Sequence, residues 1–388
     1  MAKKNQNNNI DKALEALQGA LDLEPTGQEI QLPEQVVDFE SDVELTETPD
    51  GGAEVNFDPN APIDKSNIPF DANLADYIDE SESRKFANDL VGAFEMDKES
   101  RKDWEDTYVK GLDMLGFKYE DRTQPFEGAS GVVHPLLAES VTQFQAQAYK
   151  ELLPPSGPVR TQIVGAVTPQ VQDQAERVKE FMNYQITTKM KEYDPEMDQL
   201  LFYLPLSGSA FKKVYYDPML QRGVSKFVTS EDCVINYLAT DLETAERITH
   251  VVKMTGNEVR KLQVTGFYKD MELQTGHVDT SEVMDKVDDL DGVQKEYADG
   301  DDEHEILEMH VNLDLPGFED IGANGEETGI KLPYIVTIAE ANNKVLSIRR
   351  NYTQDDPAKE KINYFVQFKF LPGTGFYGFG LIHMIGGL

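Results

Sequence analysis

The chain has 388 residues, 39% of them hydrophobic, and a formal net charge of −35, so it can build a sizeable core but not along its whole length. A chain this acidic is poorly suited to gripping phosphate backbones, because nucleic-acid affinity rests mostly on cation–phosphate contacts. The lone Cys233 excludes a disulfide framework and a Cys-based zinc site, and no apolar run approaches the roughly eighteen residues of a membrane-spanning helix.

The charge is unevenly spread. Residues 1–83 hold twenty acids against four bases, and residues 279–305 hold twelve against two. Residues 1–80, acidic and rich in Asn, Gln and Pro, are expected to be a mostly disordered tail. Within it, Ile10 to Leu23 has helical spacing through Leu14, Leu17 and Leu21, which fits a transient or docking helix.

Order is expected to begin near Ser81. Phe86, Leu90 and Phe94 step by four through a first helix, Ser83 to Phe94. Trp104, Tyr108, Leu112 and Leu115 mark one face of a second, Lys98 to Leu115, which Gly116 stops. After a loop over Thr123–Gly131, Pro135 opens a helix to about Leu153, with Leu137, Val141, Phe144, Ala148 and Leu152 on its apolar face. Val159 to Val167 reads as a strand. A long helix is predicted from Pro169 to Tyr193, with Val171, Ala175, Val178, Met182 and Ile186 in step, broken by Asp194-Pro195. Another helix then reaches Leu206, and Gly208 turns the chain into a strand over Ala210–Tyr216.

The next stretch is mixed. Strands are expected at Lys226–Val228, Cys233–Asn236, Arg247–Met254, Glu305–Leu313, Tyr334–Ala339 and Val345–Arg349, with a short helix over Asn257–Gln263. The acidic segment Asp279–Glu305 interrupts them as a loop or insertion. A last strand-like run, Tyr364 to Phe370, precedes Gly373-Thr-Gly375-Phe-Tyr-Gly378-Phe-Gly380.

That final segment contains a literal G-x-G-x-x-G. A dinucleotide site needs a βαβ unit and an acid about twenty residues further on. Only eight residues follow Gly380, and Phe376, Tyr377 and Phe379 are bulky where a pyrophosphate needs open backbone. The segment therefore reads as a glycine–aromatic turn, its glycines supplying positive φ and its aromatics packing on a neighbour. His304 and His310, among Glu303, Glu305 and Glu308, are too spread for one metal ion and read as a solvated charged edge. Asp285 to Gly292 fails as a calcium loop, because the position five before Gly292 is Val287. There is no G-x-S-x-G, P-loop or H-E-x-x-H; Asp217 and Glu231 read as turn acids before catalytic ones. No catalytic, cofactor-binding or metal-ligating residue is assigned.

Four blocks in order carry a resemblance: Trp104 to Gly116, Phe126 to Pro135 with its Gln-rich helix, Leu200 to Pro218, and Phe370 to His383. Together they resemble the portal, or head-to-tail connector, proteins of tailed bacteriophages, nearest the large portals of short-tailed phages, over about residues 85–388. The resemblance implies an α+β subunit with a helical wing and β-rich segments. Residues 81–240 would form the wing-like part. Residues 241–345 would form a mixed β-rich part with the acidic insertion and the clip, and 346–388 the final strand, the turn and the start of a further helix. It implies a non-enzymatic homo-oligomeric ring, a dodecamer in this family, at a capsid vertex of the virion, assembled in the host cytoplasm. Its partners would be the terminase large subunit, major capsid and scaffolding proteins, tail adaptors, and double-stranded DNA passing without sequence-specific binding; no membrane and no cofactor is implied. Gly208, Gly373, Gly375, Gly378 and Gly380 are its landmarks in this chain. The family's glycine–aromatic block leads into a helix toward the channel, so the chain is expected to lack later helices, the tunnel loop and the crown. Another head–tail structural or adaptor protein, and a nucleotide-dependent enzyme using the terminal glycines, are the competing readings.

Overall fold

The computed structural model describes residues 45–47, 53–55, 68–115, 126, 135–218, 220–273, 283, 286–287, 303–322 and 326–385. The predicted helix at Ile10–Leu23, most of the 123–131 loop and most of the acidic insertion lie outside them. By its contacts the chain divides into residues 1–63 and 64–388. In the first unit, β1 (Leu45–Glu47) and β2 (Ala53–Val55) pair antiparallel, Leu45 opposite Val55.

The second unit is α+β. Among the described residues its named helices are α1 (Glu80–Ser100), α2 (Lys102–Leu112), α3 (Leu136–Leu152), α4 (Pro169–Tyr184), α5 (Tyr193–Ser207), α6 (Gly256–Val264) and α7 (Leu381–Ile385). Its strands are β3 (Ser209–Asp217), β4 (Arg222–Val228), β5 (Cys233–Val234), β6 (Arg247–Thr255), β7 (Glu303–Leu313), β8 (Leu332–Ala339), β9 (Lys344–Arg350) and β10 (Phe365–Lys369). They form two antiparallel sheets, one ordered β10-β3-β4 and the other β5-β6-β7-β8-β9. Strand β10 reaches back across the chain to pair with β3, Gln367 opposite Phe211.

The larger sheet has β7 at its centre. One of its faces presents Leu307, Met309, Val311, Tyr334, Val336 and Ile338, which pack with Ala87, Leu90 and Phe94 of α1. Leu74 and Ala75 are fully buried in the same core, and Asn73 donates to Leu346 O at 3.1 Å. Packed structure thus takes in residues 68–80, upstream of the expected start near Ser81. Apolar residues before the helix are few, but Leu74 and Ala75 are wholly enclosed.

The predicted second helix begins later than Lys98. The chain steps from α1 to α2 at Arg101, whose side chain turns inward and is buried. The predicted strand Val159–Val167 does not form: it pairs with no strand along its length, and Val164 is 94% exposed. β-branched residues favour extended backbone, but without a neighbouring strand they make no ladder. The long helix ends at Tyr184 in a single π-helical turn, Gln185–Lys189, and not at Asp194-Pro195. Pro195 instead lies in the first turn of α5, where a missing N–H costs no helical hydrogen bond.

Candidate functional site

The five landmark glycines meet at one joint between α5, β3 and the segment that follows β10. Gly208 ends α5 with φ 89°, a left-handed conformation, and its N–H bonds Leu204 O at 3.0 Å. A Cβ there would lie 2.3 Å from Gly380 N and 2.5 Å from Gly378 O. Reciprocally, a Cβ on Gly380 would lie 2.1 Å from Leu206 O, and one on Gly378 would lie 2.4 Å from Gly208 O. Gly373 faces the Tyr377 carbonyl at 2.2 Å and Gly375 the Tyr237 ring at 2.4 Å, measured the same way. The expectation of positive φ in the terminal block is corrected: none of Gly373, Gly375, Gly378 and Gly380 is left-handed. They are glycines because another part of this chain occupies the space of their side chains. The backbone that a pyrophosphate would approach is covered by Leu206–Gly208 and Tyr237.

The block is closed as a loop by the Leu371–Phe379 bridge and sewn to the fold by main-chain bonds. Phe370 N donates to Gly208 O at 3.0 Å, Phe376 N to Tyr237 O at 2.9 Å and Gly378 N to Ser209 Oγ at 2.7 Å. Phe376 and Tyr377 are fully buried. Trp104 stacks on Tyr377, with centroids 4.7 Å apart, and on Tyr108 at 5.7 Å.

Beneath the aromatics lies a buried polar hub. Arg101 Nη1 donates to Ser230 O at 2.7 Å and to the Tyr377 hydroxyl at 3.0 Å, Nη2 donates to Glu231 O at 2.8 Å, and Glu105 sits 2.7 Å away as its counter-ion. The Tyr377 hydroxyl accepts from Ile235 N at 3.0 Å and lies 3.1 Å from Cys233 O. Burial raises the Glu231 carboxyl and the Cys233 thiol above their usual ranges and so keeps the thiol protonated. Asp217 accepts from Leu220 N at 3.1 Å, the contact of a turn acid. Periodicity had no means of finding Arg101; a cation at the junction of two amphipathic helices was the only trace.

The solvated edge expected around His304 and His310 is overturned. Both side chains are buried: β7 is the central strand of five, and around His310 its second face is covered by Lys213 of β3 and Phe365 of β10. There Glu308 takes Lys213 Nζ of β3 at 2.6 Å on both oxygens and contacts His310 Nε2 at 2.9 Å. His250 lies opposite Glu308 on β6, and Phe365 packs edge-on against both His250 and His310. Although burial opposes ionisation, the His310 hydrogen bond and the Lys213 charge hold the Glu308 carboxyl far below its ordinary value. Burial and Lys213 lower His250 to about 4. The cluster ties the two sheets together. Its trace in the sequence is the apolar run Ile306-Leu307 with Met309 and Val311, which marks a strand covered on both faces.

Among the described residues, no group of three or more His, Cys, Asp or Glu side chains is arranged to hold a metal ion, and no helix is long and apolar enough to cross a membrane. A scan against protein-family models finds no match, and a search of the curated proteins finds none either.

Proposed function

We propose that the chain is the subunit of a portal-type ring of a tailed bacteriophage, a structural element at one capsid vertex. In this reading it conducts double-stranded DNA during packaging and ejection, and it docks terminase and tail adaptors. The observation that carries the reading is the convergence of the resembling blocks. Trp104, Gly208 and the Gly373–Gly380 segment come from three of them and meet in one joint. The helix of the remaining block supplies Leu137 and Val141 to a core shared with Tyr108, Leu206 and Ile382.

The charge is consistent with the same role. Each phosphate contact adds affinity that would brake a sliding duplex, whereas an acidic wall keeps friction low. Negative-stain microscopy and native mass spectrometry of the purified chain test the proposal. The expected result is closed rings of about twelve copies around a channel. A chain that stays monomeric at all concentrations, or forms closed dimers, counts against it.

A further inference from the structure

Helix α4 is amphipathic in sequence, yet none of its residues is buried. Val178, Phe181, Met182 and Tyr184 are 44%, 61%, 44% and 46% exposed, and Val164 and Val167 on the approach to the helix are exposed as well. The segment is nevertheless built, and not frayed. Thr168 caps α4 through Val171 N at 3.3 Å, and Asn183 clasps Val159 with one bond to its N–H (2.9 Å) and one to its carbonyl (3.1 Å). A helix held in place while its apolar stripe faces outward is the usual mark of an interaction surface. Its residue types, Phe, Met and Tyr, are those enriched at interface centres.

The same chain carries a surface complementary to it. Helices α3 and α5 flank an open cleft of about 510 Å³, lined by Thr142, Gln145, Ala146 and Tyr149, with two acids, Asp194 and Asp198, against one base, Lys150. Its acids are oriented by the chain's own groups: Tyr149 Oη donates to Asp194 at 2.7 Å and Gln145 Nε2 to Asp198 at 2.8 Å. Charge complements the apolar match. Residues 159–191 hold five bases and three acids, a cationic segment in a chain of net −35. Lys189 and Lys191 follow the aromatic stripe, where they would meet Asp194 and Asp198. Because Phe181 and Tyr184 are exposed, the arm does not fill its own chain's cleft.

We propose that the occupant of this cleft is the α4 arm of a second copy, with Phe181 and Tyr184 inserted between α3 and α5 and the arm lysines on the acidic lip. The contact joins two different surfaces, so it is heterologous and propagates from copy to copy until a ring closes. This rests on the ring reading above and deepens it by naming the faces that meet.

The experiment uses the full chain and two variants confined to exposed or cleft-lining positions. The arm variant is Phe181→Glu with Tyr184→Glu; the cleft variant is Thr142→Arg with Ala146→Arg. Association is followed by analytical ultracentrifugation over a concentration series, with circular dichroism and the thermal midpoint confirming the fold. Each variant should weaken self-association at least about tenfold. Mixed in equal amounts, the two should form a dimer and nothing larger, because one intact arm–cleft junction remains. A cleft variant that assembles like the unaltered chain overturns the proposal, as does an unaltered chain that remains monomeric at about 100 µM. Open filaments that both variants abolish support this surface and count against the portal reading. Closed rings indifferent to both variants keep the portal reading and overturn this surface.

Discussion

The Arg101 guanidinium donates to the Tyr377 hydroxyl at 3.0 Å, joining residues 276 positions apart beneath the Trp104 ring. Removing either partner leaves buried groups without one. Tyr377→Phe strips the acceptor from Ile235 N–H, for an expected loss of about 1–3 kcal/mol. Arg101→Met leaves Glu105 uncompensated and orphans the carbonyls of Ser230 and Glu231, for about 3–5 kcal/mol. Urea denaturation of both variants measures the two losses, and equal losses would contradict the hub.

The glycines separate by neighbour and not by backbone conformation alone. Gly380→Ala puts a methyl on Leu206 O and Gly208→Ala puts one on Gly380 N, so both should unfold the joint or lower stability by more than about 3 kcal/mol. Gly92, inside α1 with nothing within 4 Å of the place an added methyl would take, is the control: Gly92→Ala should stabilise by about 0.5–1 kcal/mol. Thermal melts of the three variants check the ordering.

The inter-sheet ion pair can be measured directly. Lys213→Met and Glu308→Gln should each cost about 2–3 kcal/mol, below the full value for a sealed pair because both side chains keep some water. A double-mutant cycle should return a coupling of at least about 1 kcal/mol. Additive losses would mean the two sheets are not joined by this contact.

Two groups give the stability opposite dependences on pH. His250 titrates near 4 in the fold against an ordinary value of 6.5, so the unfolded chain binds its proton first. Its contribution is complete above 6.5 and is lost as pH falls toward 4, by at most about 3 kcal/mol. Glu305 is raised to about 7 by burial and by Glu340, so the fold binds its proton first, and stability rises as pH falls from 7 toward 4.5. Partial exposure screens that gain. Denaturation midpoints between pH 4 and 7 should therefore fall more steeply with acid in Glu305→Gln and less steeply in His250→Gln. Parallel profiles would sink both assignments.

Much of the fold was legible in local pattern. The steps of Phe86, Leu90 and Phe94, and the strands later found as β6, β8 and β9, needed only the periods of helix and sheet, because side-chain direction repeats with backbone geometry. The same rule found α4's apolar stripe and was right about its spacing, although the stripe is not buried within the subunit. Val159–Val167 shows the complementary case, a β-prone run left without a ladder.

The site depended on long-range contact. Gly373 to Gly380 could be singled out as glycines among aromatics, but the reason for Gly378 and Gly380 lies about 170 residues away, in the Leu206–Gly208 backbone pressed against them. His310 was visible as a histidine among acids, while its burial follows from β3 and β10 lying over the middle strand of five. Composition and periodicity report what a segment prefers and which residues share a face. Which face is covered, and by what, is set when distant segments pack, since burial and close approach belong to pairs of surfaces and not to either sequence alone.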